Sequence, residues 1–502
     1  MEQSNELTNK SLPAGKWELI FGSLLLVICL LMINCFFFGG LYLGFAIAGI
    51  LCILCSSAYL LSSGCKPGAY SITLLVLSLV ISASFARSDD TLIKLVMVCF
   101  LFVSTNLSLC LTAGKNQHHP GSVSSLLDSF SSFFTLGIGE ISSSCRGISN
   151  AFRRSGSLGQ KGSAILLGLG ISVPVLLIIV PLLIQADAAF EGMLRYLPRF
   201  SIQELFCTVL FGVSLALILY TRNTALRHKE ISQVSKKSRK GMSPLTVNTF
   251  LITVCLVYCA YLVSQLAYFT GGFAGILPED YTLAQYARRG FFEMAWLCAI
   301  NLSIVILSLS LCAKEKITPL FTRLLCLFIG IVTLFLVVTA SAKMLLYIEN
   351  FGLTRLRVLT QVIMIFLGIA TALVCIWLFA SKLPYMKAIV ITALIMGAAV
   401  SWMDVNTQVA RYNVSRYLDG NAETVDVYYL DSLGDGVVPY IAKLAREAPD
   451  PDIAEFAQAI LNDRRVIAPK DFRDWNYASY IAAEILGDFS EASVDNTLHS
   501  GH

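Results

Sequence analysis

The sequence predicts an all-α integral membrane protein of about eleven transmembrane helices with a small C-terminal α-helical domain. Three observations carry that expectation. Hydrophobic residues make up 56% of the 502 residues and charged residues only 14%, whereas soluble domains are about 45–50% apolar and about 25% charged. Apolar runs of spanning length recur along the chain. The charge is also segregated: residues 1–403 hold 29 Lys and Arg against 16 Asp and Glu, and residues 404–502 hold 8 against 17. A soluble multidomain enzyme and a disordered chain are both excluded by this composition.

A helix needs about 20 apolar residues to cross a bilayer. Runs that meet or approach this length lie at 19–38, 41–61, 69–86, 92–113, 164–185, 203–220, 246–269, 291–312, 324–347, 358–380 and 387–403. Gly39 and Gly40 separate the first two, which predicts a tight hairpin. With the N-terminus inside, the inner segments hold 20 Lys and Arg and the outer loops 8. Positive charge in short loops sets orientation, so the expected localisation is the cell membrane, multi-pass, with a cytoplasmic N-terminus and an extracytoplasmic C-terminus.

The expected organisation is an N-terminal four-span region (1–113), a cytoplasmic amphipathic interfacial segment (114–163) and a seven-span core (164–403). A small extracytoplasmic helical domain (404–488) and a disordered tail (489–502) follow. Within the interfacial segment Val123, Leu126, Leu127, Phe130, Phe134, Ile138 and Ile141 recur at helical spacing among serines, a pattern for a helix lying on the membrane surface or, as the alternative, packed under the bundle. The stretch 222–240, with Arg222, Arg227 and Lys229, reads as a solvated loop. In the acidic tail, Asp435 with Pro439 and Asp450 with Pro451 mark helix starts. Asp471 opens a further helix that stops at Gly487.

Motif absences in the sequence sort the chemistry. No H-E-x-x-H, P-loop or G-x-S-x-G pattern occurs. The 15 cysteines lie mostly in apolar runs, where a thiol behaves as a small hydrophobe. No catalytic residue, cofactor-binding residue or metal ligand is therefore assigned, and no cofactor is expected. The basic balance reflects loop charge and predicts no nucleic-acid partner. Expected partners are the lipid bilayer and an envelope protein or lipid-linked molecule.

Ionisable and amide side chains in or beside spans are expensive and default to functional candidates. Arg288, Arg289, Glu293, Asn301, Lys343, Asp404, Arg411 and Asn413 form the candidate polar cluster. All but the deeper Asn301 are placed at one membrane side. Two readings stay open. In one, Glu293 or Asp404 pairs structurally with Lys343 while Arg288 and Arg289 snorkel. In the other, the cluster lines a pocket open to the outside.

Several of these residues sit in longer patterns. Tyr286-Ala287-Arg288-Arg289-Gly290-Phe291-Phe292-Glu293 is followed by Ile300-Asn301-Leu302. Asn406 and Ala410-Arg411-Tyr412-Asn413 are followed by Asp426, Tyr429-Leu430, Leu433, Asp435 and Pro439, and Asp474-Trp475-Asn476 lies near the end. Together these resemble an uncharacterised family of bacterial multi-pass membrane proteins, domain of unknown function 4173, over roughly residues 160–480. The resemblance implies a bacterial cell-membrane protein and no particular activity. The expected function is a non-enzymatic envelope scaffold or sensor with an extracytoplasmic partner-binding domain. A small-solute transporter or channel is the first alternative, and a membrane enzyme acting on a lipid-linked substrate the second.

Overall fold

A computed structural model describes residues 12–116, 118, 121–154, 179, 202–228, 242–273, 291–312, 320–380, 382–464 and 471–487. Among these the regular structure is helical, with nine helices long and apolar enough to cross a membrane. Ten of the eleven expected spans fall on described helices, and the span at 164–185 lies, apart from residue 179, outside the described residues. The chain divides into two compact units, Met1–Gln233 with Arg464–His502, and Val234–Asp463. The expected tail domain is thus shared: its segment up to Asp463 belongs to the second unit and the rest to the first.

In the first unit, α1 (Lys16–Asn34) runs into a π turn, Cys35–Gly39. Gly40, at φ +90°, then reverses the chain into α2 (Leu43–Leu61). That φ is open to glycine because it has no Cβ to clash. The helix α3 (Ala69–Ser84) is short for a span, at 16 residues. It packs on α4 (Thr91–Thr112) through hydroxyls. Ser71 and Thr112 are 2.6 Å apart and Ser78 and Ser104 2.7 Å, while on α2 the Ala46 carbonyl accepts from Ser82 at 3.0 Å. Small hydroxylated residues let helices approach closely and bond across a lipid-embedded interface.

The amphipathic segment is two helices, α5 (Val123–Ser132) and α6 (Ile141–Arg154), joined through a π turn at Phe133–Ile138. A single continuous surface helix was expected. Instead the π turn lets Phe133 rest 4.8 Å from Phe102, halfway along α4. Its serine face is turned inward, with Ser125, Ser129, Ser143 and Ser144 buried, while Leu127, Phe130, Phe134 and Ile138 are exposed. An apolar stripe directed outward suits a lipid environment and would be a liability in water.

The helix α7 (Ile202–His228) is longer than its apolar run. Arg222, expected in a solvated loop, is 1% exposed on this helix. About two more turns of helix beyond the apolar run keep its backbone bonded, and its guanidinium finds partners inside. Nη2 donates to the Asn106 carbonyl at 3.1 Å and to Cys110 Sγ at 3.6 Å. At the end of α7, Arg227 and His228 meet Glu18 of α1, with His228 Nε2 3.1 Å from its carboxylate. Stacked Phe21 and Tyr59 lie beside them.

The opposite end of this unit is closed by the chain's own C-terminal segment. Residue Leu43 donates to the Trp475 carbonyl at 3.0 Å, and Tyr477 donates to the Ala86 carbonyl at 2.9 Å. Arg473 bonds Asn34, Glu204 and Asp471, each at 2.9 Å. The α1–α2 turn, the α3–α4 turn and the start of α7 therefore share one end, the grouping that alternating spans require. The described segment runs through a turn at 471–474 into α17 (477–487), so the helix expected to open at Asp471 starts six residues later, where Asn476 Oδ1 accepts the Ser479 N–H at 2.9 Å.

In the second unit, α8 (Pro244–Phe273), α9 (Phe291–Leu311), α10 (Leu320–Phe351), α11 (Arg355–Phe379) and α12 (Tyr385–Met403) surround a core that includes Leu251, Cys298, Ile329, Leu336, Met364 and Val374. At 32 residues α10 is about 48 Å long, against about 30 Å of hydrocarbon. An untilted α10 must stand clear of it. Asp404 (φ +52°) breaks the chain between α12 and α13 (Val405–Leu418). Asp is one of the few residues that visits this region. Short helices α14 (Val427–Asp431), α15 (Val438–Glu447) and α16 (Pro451–Asp463) follow.

Candidate functional site

The site is built where α10 ends. Gly352 takes φ +74° and its N–H returns to the Ile348 carbonyl at 2.9 Å, a left-handed stop that glycine adopts without steric cost. The turn then runs through Leu353 to Thr354, whose hydroxyl caps α11. Asn413 of α13 reads the backbone of Leu353 in both directions. Its Oδ1 accepts the Leu353 N–H and its Nδ2 donates to the Leu353 carbonyl, each at 2.8 Å. Tyr429 of α14 accepts the Arg355 N–H on its hydroxyl at 2.9 Å. The membrane hairpin is thereby clasped by the helices that follow it in sequence.

Two arginines converge on the same helix end. Arg416 donates to Ile348 O at 3.3 Å and to Asn421 O at 3.1 Å. Arg357 donates to Phe351 O at 3.0 Å and also to Gly352 O, with its guanidinium 4.2 Å over the Tyr347 ring. Cations at a helix C-terminus are favourable because its last carbonyls carry partial negative charge. Both arginines bond carbonyls, and among the described residues neither forms an ion pair.

Around this clasp lie two adjoining cavities. One, of about 680 Å³, is walled by Asn350, Arg357, Asn413, Arg416, Glu423 and Asp426, among others. The second, of about 640 Å³, is walled chiefly by Val358, Met403, Arg411, Tyr412 and Arg416. They share Leu353, Arg416 and Asn421. The first is polar with both charge signs. The second has an apolar side at the level where α12 gives way to α13.

The structure distributes the sequence candidates as follows. Asn413 forms the clasp and Arg411 lines the second cavity. Asp404 sits at the α12–α13 break, accepting the Thr407 hydroxyl at 2.7 Å. Asn301 is elsewhere in the unit: it accepts from Tyr258 Oη at 2.6 Å and donates to Thr333 Oγ1 at 3.0 Å, a satisfied polar knot between α8, α9 and α10. Glu293 is exposed on the first turn of α9, and Lys343 is half-buried on α10. Arg288 and Arg289 lie outside the described residues. Arg357, Arg416, Glu423 and Tyr429 were missed as site residues. One of them was readable: Arg416 lies three residues after Asn413 and shares its helix face.

The resembling pattern around Asn406 gains a physical basis here. Asn406 donates to the Leu433 carbonyl at 2.7 Å, and Thr407 donates to the Gly436 carbonyl at 3.1 Å. Asp426 caps α14 by accepting the Tyr429 N–H at 2.8 Å. The family model Domain of unknown function (DUF4153) matches residues 69–444, three quarters of the chain.

The chain belongs to the DUF4153 family. The number differs from that of the family the motifs resemble, and what stands is membership of an uncharacterised family. The DUF4153 match runs from α3 into α15, so the whole clasp lies inside it. The segment around Arg473, with α1 and α2, lies beyond it. No curated protein and no solved structure matches the chain.

Proposed function

We propose that this protein is a non-enzymatic membrane scaffold or sensor whose helices beyond α12 bind an envelope partner on the extracytoplasmic side. The observation that supports it is the clasp. Asn413 and Tyr429 hold the α10–α11 turn by three backbone hydrogen bonds, and that fixed frame carries the polar cavity. A binding site on rigid elements loses little entropy when occupied. The orientation follows from the 20-to-8 bias of basic residues.

The test has two arms on the full-length protein. A membrane-impermeant maleimide should label Glu423→Cys in intact spheroplasts, and proteoliposomes should pass no ions or small solutes beyond empty vesicles. Labelling only after permeabilisation would overturn the orientation. Solute flux would overturn the scaffold reading and favour a transporter. One observation favours that second reading: Arg222 lies buried along a span, and buried spanning charges mark pathways in many transporters.

A further inference from the structure

We propose that the two adjoining cavities at the α10–α11 turn bind one aminophospholipid. Its phosphate lies against Arg416 and Arg411, its primary ammonium faces Glu423 and Asp426, and its chains lie along Val358 and Met403. This deepens the reading above, since it names the partner chemistry of that same face.

The cavities meet at Leu353, Arg416 and Asn421, so a ligand in both must pass Arg416. That side chain is half-buried, and its bonds go to two carbonyls. A guanidinium has five N–H donors in a fork that fits phosphate oxygens. Carbonyls leave it both donors and net charge. Arg411 is exposed on the same helix five residues earlier and lines the second cavity. An anion is therefore favoured at the junction.

Capping of α10 accounts for why arginines are there. It does not account for the rest of the walls. Arg357 and Arg416 face the first cavity together with Glu423 and Asp426, both exposed carboxylates. A purely anionic ligand would meet those carboxylates with like charge, and a purely cationic one would meet the arginines. A headgroup with a phosphate and an ammonium matches both. Asp419, exposed on the second cavity, opposes only the phosphate.

The second cavity supplies the apolar half. Met403 is the last residue of α12 and Val358 lies in the first turn of α11. Both therefore stand at the ends of spans, at the depth where glycerol and upper acyl carbons are found. A soluble zwitterion would leave this wall uncovered.

Full-length protein in nanodiscs of phosphatidylcholine, each doped with phosphatidylethanolamine or phosphatidylglycerol, provides the test. Native mass spectrometry should show phosphatidylethanolamine retained at least fivefold over either other lipid. Glu423→Gln, an exposed position, should reduce that preference to twofold or less with the melting temperature unchanged. Arg416→Gln should lower retention of every phospholipid at this site. Equal retention of the three lipids would overturn the proposal, as would an unchanged preference in both variants. Soluble glycerophosphoethanolamine should not compete. Competition by it would overturn the lipid as the source and assign the site to the free headgroup. None of these outcomes depends on the labelling or flux measurements, so failure here is distinct from failure of the scaffold reading.

Discussion

Asn413 and Leu353 exchange two hydrogen bonds of 2.8 Å, side-chain amide against main-chain amide, across sixty residues of sequence. One side chain thus satisfies both polar groups of a turn that two membrane helices leave without partners. Replacing it strands both at once. Each bond is worth about 0.5–1.5 kcal/mol net, and a buried orphan more. Asn413→Ala is expected to destabilise the second unit by about 1–3 kcal/mol. Asn413→Asp, which keeps the acceptor but loses the donor, should fall between. Thermal unfolding in detergent with hydrogen exchange at 350–356 reads both. Wild-type stability in the alanine variant would refute the clasp.

Gly352 and Gly420 offer a controlled pair. Both have φ +74°. A Cβ on Gly352 would meet Asn413 Oδ1 at 2.8 Å, whereas nothing lies within 4 Å of one on Gly420. Gly420→Ala should cost only the left-handed conformation, about 1 kcal/mol. Gly352→Ala should cost clearly more, because it also pushes Asn413 off Leu353. Equal losses in melting temperature would show that the close approach does not matter.

Arg473 holds Asp471 below the usual carboxylate range, chiefly through their side-chain hydrogen bond. A carboxylate whose pKa is depressed on folding stabilises the folded form above its unfolded value, about 3.9, and loses this as pH falls through the folded one. The Asp471–Arg473 pair, which steadies the arginine that reaches Asn34 and Glu204, should therefore persist at neutral pH and weaken only below about pH 4. Limited proteolysis of 471–480 against pH would show it. Gly39→Ala should release the segment at neutral pH, since a Cβ there would lie 2.7 Å from Arg473 Cβ. A segment equally protected in that variant would contradict the account.

Arg222 presents the opposite balance. Among the described residues no carboxylate pairs with it, and its Nε finds no partner. Desolvating a charge costs several kcal/mol even with carbonyl contacts. Arg222→Met is therefore expected to leave stability unchanged or raise it by about 1–4 kcal/mol. A variant that is stable yet loses a cellular phenotype would mark Arg222 as functional. A strongly destabilised variant would mark its bond to Asn106 as structural.

How much could be read in advance differs from element to element. The Gly39–Gly40 turn and the spans were legible because each depends on local chemistry: run length, a positive φ, a missing Cβ. Arg222 was misplaced because a charge ends a hydropathy run, while a helix ends only where its backbone bonds do. The apolar stripe between Val123 and Ile141 was legible as a period but not as a direction. Phe102, far back on α4, decides where Phe133 rests.

Composition and run length alone determined that this chain is a helical bundle in a membrane, since a bilayer admits few other ways to satisfy an apolar chain's backbone. Residue pairing was left to the tertiary structure. Asn413 meets Leu353, and Arg473 meets Glu204 across 269 residues, by contacts that no local pattern encodes. Hydrophobic burial is non-directional and readable from sequence. Hydrogen bonds are directional and need both partners in place, so the clasp and its cavities exist only once the helices have packed.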